Sequence, residues 1–114
     1  ITKKKNIIGF NSSRVKFTNK IDKKFLLCTN LFINCSPLGS NLKRSFINKT
    51  PITKNELKIL PKKSKIFDIV YNPKVTLLKK MCNKLKISYT NGLKMNFDQA
   101  DKALKIIEEN YLKR

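Results

Sequence analysis

Histidine is absent from this chain of 114 residues. Its absence removes the commonest general base, the Ser-His and Cys-His nucleophile pairs and the usual zinc ligand sets. Cysteine is scarce: Cys28, Cys35 and Cys82 form no CxxC pair and leave an odd thiol. That usage reads as a reduced, cytoplasmic protein rather than a disulfide framework. Glycine occurs only as Gly9, Gly39 and Gly92, so there is no glycine-rich loop to cradle phosphates at a helix start. No apolar run approaches the roughly 18 residues of a membrane span. The opening ITKKKNIIGF is basic but has a short apolar patch and no small-residue cleavage site, unlike a signal peptide. A start at Ile1 instead of methionine reads as a fragment or a truncated reading frame.

Arginine is the next scarcity. The formal charge is +19, yet only Arg14, Arg44 and Arg114 among 26 basic residues are arginine. Nucleic-acid readers lean on the forked guanidinium for base and phosphate contacts. Here the lysines are scattered, and lysine, asparagine and isoleucine abound together, as A/T-biased coding produces without selection for a partner. The charge therefore reads as a solvated surface, and a basic nucleic-acid-binding α/β domain is kept as an alternative only.

What is present is an alternation of short apolar runs and helical patterns. Strands are expected at 4–10, 31–34, 65–71 and 86–89, the third stopped by Pro73. A weak helix is expected over 14–24, with Val15, Phe17 and Ile21 as its apolar points, and a short one at TKNELKIL, 53–60. Thr76 caps a helix carrying Leu77, Leu78, Met81 and Leu85 on one face. The strongest helical pattern is 93–113, where Leu93, Phe97, Ala100, Leu104, Ile107 and Tyr111 recur at three and four residues. Strands alternating with helices predict an α/β layer structure with a mainly parallel sheet, and continuous apolar strands predict a sheet covered on both faces. In such sheets ligands bind beyond the carboxyl ends of the strands. Polar clusters fall at those ends: Asn11-Ser12-Ser13, Asn34-Cys35-Ser36-Pro37-Leu38-Gly39 and Tyr71-Asn72-Pro73.

These clusters, with the Gly92-Leu93-Lys94-Met95 run and Gln99-Ala100 behind it, resemble the C-terminal dinucleotide-binding domain of shikimate dehydrogenases. The family's strand ending in Asn-Ala/Thr-Ser/Thr-x-x-Gly is matched by Asn34 to Gly39. Its Asp-x-Val-Tyr-Asn-Pro followed by threonine and leucine is matched by Asp68, Val70 to Pro73, Thr76 and Leu78. Its Gly-Leu-x-Met followed by Gln-Ala is matched by Gly92, Leu93, Met95, Gln99 and Ala100. The resemblance runs from about residue 5 to the C-terminus. It implies residues 1–114 as a partial Rossmann-like domain, lacking the first strand, the glycine-rich loop and the N-terminal substrate domain. It further implies a parent enzyme of chorismate and aromatic amino-acid biosynthesis that reversibly reduces 3-dehydroshikimate to shikimate with NADPH.

Carried over by the resemblance, Asn11, Ser12, Ser13 and Lys16 hold the adenosine 2′-phosphate of NADP, although Ser12 stands where the family has arginine. Ser36, Gly39 and Gly92 lie at the nicotinamide end, with Ser40 where the family often has methionine. Tyr71 lines the cleft between cofactor and substrate, and Asn72 fixes the turn. Gln99 binds the hydroxylated ring of the substrate; at roughly 100° per residue it sits on the rim of the apolar stripe beside Met95 and Ile106. Asn96, where the family has leucine, either weakens the packing of the last helix or finds a backbone partner. No metal is implied. No lysine here sits in the family's catalytic motif, so no catalytic residue is named and the chain alone is expected to be inactive. A degenerate remnant that binds no cofactor is the competing reading.

Overall fold

The computed structural model describes residues 15–112. The strand expected at 4–10 and the cluster Asn11-Ser12-Ser13 lie outside the described residues.

The chain first closes a short helix α1 (Lys23–Leu27), because Asp22 is extended and its carboxylate accepts the Lys24 amide at 3.0 Å. The helix expected over 14–24 is thus displaced toward the C-terminus: β-branched Val15, Thr18 and Ile21 disfavour helix ahead of a good N-cap. Strand β1 (Leu31–Asn34) follows the turn at Thr29–Asn30 as expected. Helix α2 (Lys54–Ile59) opens on a reciprocal capping box, in which Thr53 Oγ1 accepts the Glu56 amide at 3.2 Å and Glu56 Oε2 accepts the Thr53 amide at 2.7 Å.

Strand β2 (Lys65–Asp68) ends three residues earlier than the apolar run. The Asp68 side chain accepts the Val70 amide at 3.1 Å, turning the backbone out of the ladder before Pro73 is reached. Helix α3 (Leu77–Leu85) is capped as expected, the Thr76 hydroxyl accepting the Lys79 amide at 3.1 Å. Lys86 then takes φ 58°, a left-handed C-cap, which pushes β3 to Ser88–Asn91 in place of 86–89. Helix α4 (Leu93–Ile107) continues into a π-helical turn, Glu108–Leu112.

The three strands form a parallel sheet in the order β1-β2-β3, with Phe32, Ile66 and Tyr89 in one row and Asn34, Asp68 and Asn91 in the next row on the same face. This is the parallel, helix-flanked architecture the pattern predicts. Leu26 of α1, Leu57 of α2, and Leu78 and Cys82 of α3 pack over the row Phe32–Ile66–Tyr89, with Ile66 at its centre. Each fully buried leucine there contributes about 1.5–3 kcal/mol relative to exposure. The expectation of two covered faces fails among the described residues: Leu31 and Ile33, which point to the other face, are 53% and 51% exposed. α1, α2 and α3 all pack on one side, and α4 buries none of its residues.

Candidate functional site

The polar row Asn34–Asp68–Asn91 marks the carboxyl ends of the three strands, and two of the segments that leave the sheet there frame a cleft. The first, after β1, is turned by Gly39 at φ 94°, a conformation that favours glycine, while its amide donates to Phe46 O at 2.8 Å. The second, after β2, runs from Ile69 through a cis Asn72–Pro73 peptide. Between them lies an open cavity of about 410 Å³, lined by Cys35, Ser36, Pro37, Ser40 and Leu42 on one side and Ile69 to Asn72 on the other. Its size falls in the range of small-molecule sites, and its lining mixes apolar walls with hydroxyl, phenol and amide groups.

Asn34 and Asp68, both buried, organise the floor. Asn34 Oδ1 accepts from the Ser36 amide at 2.9 Å and from Ser36 Oγ at 2.6 Å. Asn34 Nδ2 donates to Asp68 Oδ1 at 2.9 Å and to Leu38 O at 3.4 Å. Asp68 Oδ2 accepts from the Tyr89 phenol at 2.8 Å. That spends the phenol's proton, so Thr76 Oγ1 donates to the Tyr89 oxygen across 3.3 Å. Burial raises the Tyr89 phenol above its ordinary 10.0; the bond with Thr76 opposes this and Asp68 adds to it. Burial likewise pushes the Cys82 thiol up to about 11, with Asp68 contributing.

Of the residues expected at a site, Ser36 and Tyr71 line this one cavity. Gly39 lies on the first segment, outside the lining, and owes its identity to its φ. Gly92 is pressed against β2's exit: an added Cβ would stand 2.6 Å from Ile69 O. Lys16 holds its ammonium 4.8 Å from the centre of the Phe25 ring, apart from the cavity lining. Gln99 is exposed on α4, one turn beyond Asn96. Asn96 finds a side-chain partner in place of a backbone one, donating to the Tyr71 hydroxyl at 3.2 Å. Sequence reasoning assigned no role to Cys35, Ser40, Asn34, Asp68 or Tyr89. Asn34 and Asp68 stand inside the quoted motifs, so their signal was present; Tyr89 offered none beyond a strand tyrosine. No group of three or more metal-ligating side chains occurs among the described residues, and no helix there is long and apolar enough to cross a membrane.

No family model matches the sequence. A shikimate dehydrogenase (NADP(+)) from Synechococcus sp. (strain JA-3-3Ab) is 32% identical over 78 residues, 68% of this chain and 27% of the relative. The fold is similar to that of a chorismate mutase/shikimate 5-dehydrogenase fusion protein from Clostridium acetobutylicum, with TM-score 0.60 and 28% identity over 70% of this chain and 28% of that one. Sequence and fold both point to shikimate dehydrogenase. The shikimate 5-dehydrogenase of Listeria monocytogenes, solved in complex with shikimate and NAD, adds TM-score 0.58 and 25% identity over 75% of this chain and 29% of that one. The chain thus spans little more than a quarter of the length of the shikimate dehydrogenases it matches.

Proposed function

We propose that residues 1–114 form part of the C-terminal cofactor-binding domain of a shikimate dehydrogenase, an oxidoreductase that interconverts 3-dehydroshikimate and shikimate with NADP. The observation that carries this reading is the meeting of Ser36 and Tyr71 in one cavity beyond the carboxyl ends of adjacent parallel strands. That is where open α/β sheets take their ligands.

The residues fit one end of the cofactor. A cavity of about 410 Å³ with Pro37, Leu42 and Val70 as apolar walls, and with the Ser36 oxygen, its proton given to Asn34, as an acceptor for a carboxamide N–H, suits a ring of nicotinamide size. Ser36 would hold its polar edge, with Gly39 shaping the adjoining backbone and Gly92 closing the exit of β2. Asn11, Ser12, Ser13 and Lys16 would take the 2′-phosphate, through hydroxyl and amide donors plus a cation. No glycine-rich turn is present for the pyrophosphate. The cofactor, when bound, supplies the hydride. This chain's own contribution is to place it: Tyr71, 40% exposed, stands between the cavity and α4, and its hydroxyl accepts from Asn96. Gln99, one turn further along α4, would reach the substrate hydroxyls. Proton transfer to the substrate oxygen would come from groups outside these residues, so the chain by itself binds without turnover. Three free thiols suit a cytoplasmic setting.

A fluorescence titration of this chain with NADPH and with NADH, beside a shikimate- and NADP-dependent absorbance assay, tests the proposal. Saturable NADPH binding, tighter than NADH and without turnover, is the expected result. Failure to bind either nucleotide would leave the degenerate remnant as the reading.

A further inference from the structure

The two walls of the cavity belong to different segments of the chain, one after β1 and one after β2, and a single buried side chain is tied to both, to one directly and to the other through Asn34. Asp68 is fully buried, with no cationic side chain among its hydrogen-bond partners. Its Oδ1 accepts from Asn34 Nδ2, and Asn34 in turn holds the amide and hydroxyl of Ser36, so one wall hangs from it. The same Oδ1 accepts the Val70 amide, which starts the other wall. Its Oδ2 is held from behind by the Tyr89 phenol, itself anchored by the Thr76 hydroxyl at the head of α3. No buried side-chain polar atom of the described residues is left unpaired, so the set is a closed network. Closed buried networks specify one arrangement, and the cost of opening one is high in a low dielectric. The remaining ties between the walls are the backbone bond from Ile69 to Asn34 and exposed Asn41–Asn72 pairs at 3.3 Å.

We propose that Asp68 is the positioning residue of this cleft, fixing the separation of the Ser36 and Tyr71 walls, and that Tyr89, outside the cavity, sets the orientation of the Asp68 side chain. The use of that separation for a nicotinamide cofactor rests on the function proposed above; the positioning itself does not. Neither residue lines the cavity, so any effect on it must pass through the network.

Residue-resolved hydrogen exchange on the full chain tests this, with Tyr89→Phe as the first variant, since it removes the phenol's two hydrogen bonds, to Asp68 and from Thr76, and keeps the ring. The amides of Ser36, Asn41 and Val70 are expected to exchange about tenfold faster, the scale of the lost bond to Asp68. Those of Leu57 and Lys65, at α2 and the opposite end of the sheet, keep their rates. Asp68→Asn retains an oxygen for Asn34 and Val70 and donates an amide hydrogen to the phenol oxygen, whose own proton turns to Thr76 Oγ1, so it holds the wall amides within about threefold of wild type. Uniform acceleration along the chain in Tyr89→Phe, unchanged rates there, or an Asp68→Asn as fast as Tyr89→Phe would each overturn the assignment. NADPH titration of the same samples separates the two readings. Absence of binding by the wild type removes the proposed function, while the exchange pattern still decides the role of Asp68.

Discussion

Helices α3 and α4 carry the same kind of pattern and meet opposite fates. α3, with 9 residues, buries Leu78 and Cys82 completely. α4, with 15, buries none, and Phe97 and Leu104 stay 65% and 60% exposed. The difference is topological. α3 connects two neighbouring parallel strands, and such a crossover must fold back over the sheet. α4 follows the last strand, and no later strand among the described residues returns it. An apolar stripe states what a helix is able to bury; the connection decides whether it does.

Four measurements sharpen or break this contrast. The largest effect is expected from Leu78→Ala, which empties a fully buried site and costs about 2–5 kcal/mol in a denaturant titration. Next comes alkaline pH, through α3's buried thiol. Unfolded, Cys82 ionises near its ordinary 9.0; folded, it holds its proton to about 11. The unfolded chain therefore binds fewer protons above pH 9, so this contribution is intact below that pH and is lost as pH rises toward 11. Tyr89, raised for the same reason, extends the loss above pH 10.0. Urea midpoints through this range should fall more steeply for the wild type than for Cys82→Ala. Third, Gly92→Ala brings a methyl to 2.6 Å from Ile69 O, where backbone on both sides must give; thermal unfolding should show about 1–3 kcal/mol of destabilisation. The smallest effect belongs to Leu104→Ala on α4, within about 0.5 kcal/mol of wild type. A loss there comparable with Leu78→Ala would mean that α4 is covered in solution and would dissolve the contrast.

Local signals carried much of the fold. Thr53 with Glu56 and Thr76 ahead of Leu77 mark two helix starts by chemistry that needs no tertiary context. The run after Lys65 marks a strand but not its end, because the Asp68 side chain captures the Val70 amide beyond the last ladder pair, a competition that hydropathy does not register. Lys86 was misplaced for a related reason: a left-handed lysine closes a helix in the position usually given to glycine. The place of Ser36 and Tyr71 beside the cavity was legible because both stand in polar clusters at strand ends. The polar floor was not. Asn34, Asp68 and Tyr89 come from three strands, and only their register, Asn34 opposite Asp68 and Tyr89 beside Ile66, brings them together. Coverage of the sheet was illegible as well, since Leu31 and Ile33 read as buried in any strand and nothing local reports a missing layer.

The sheet face left bare among the described residues has a colloidal consequence. Leu31, Ile33 and the stripe of α4 offer neighbouring copies an adhesive surface, and the formal charge of +19 opposes their approach. Repulsion of that kind reaches about 30 Å at 0.01 M salt and about 3 Å at 1 M, whereas apolar attraction gains from the same salt when it is a sulfate or phosphate. The balance predicts dispersed particles in dilute buffer and association in concentrated sulfate or phosphate, with ionic strength as the control.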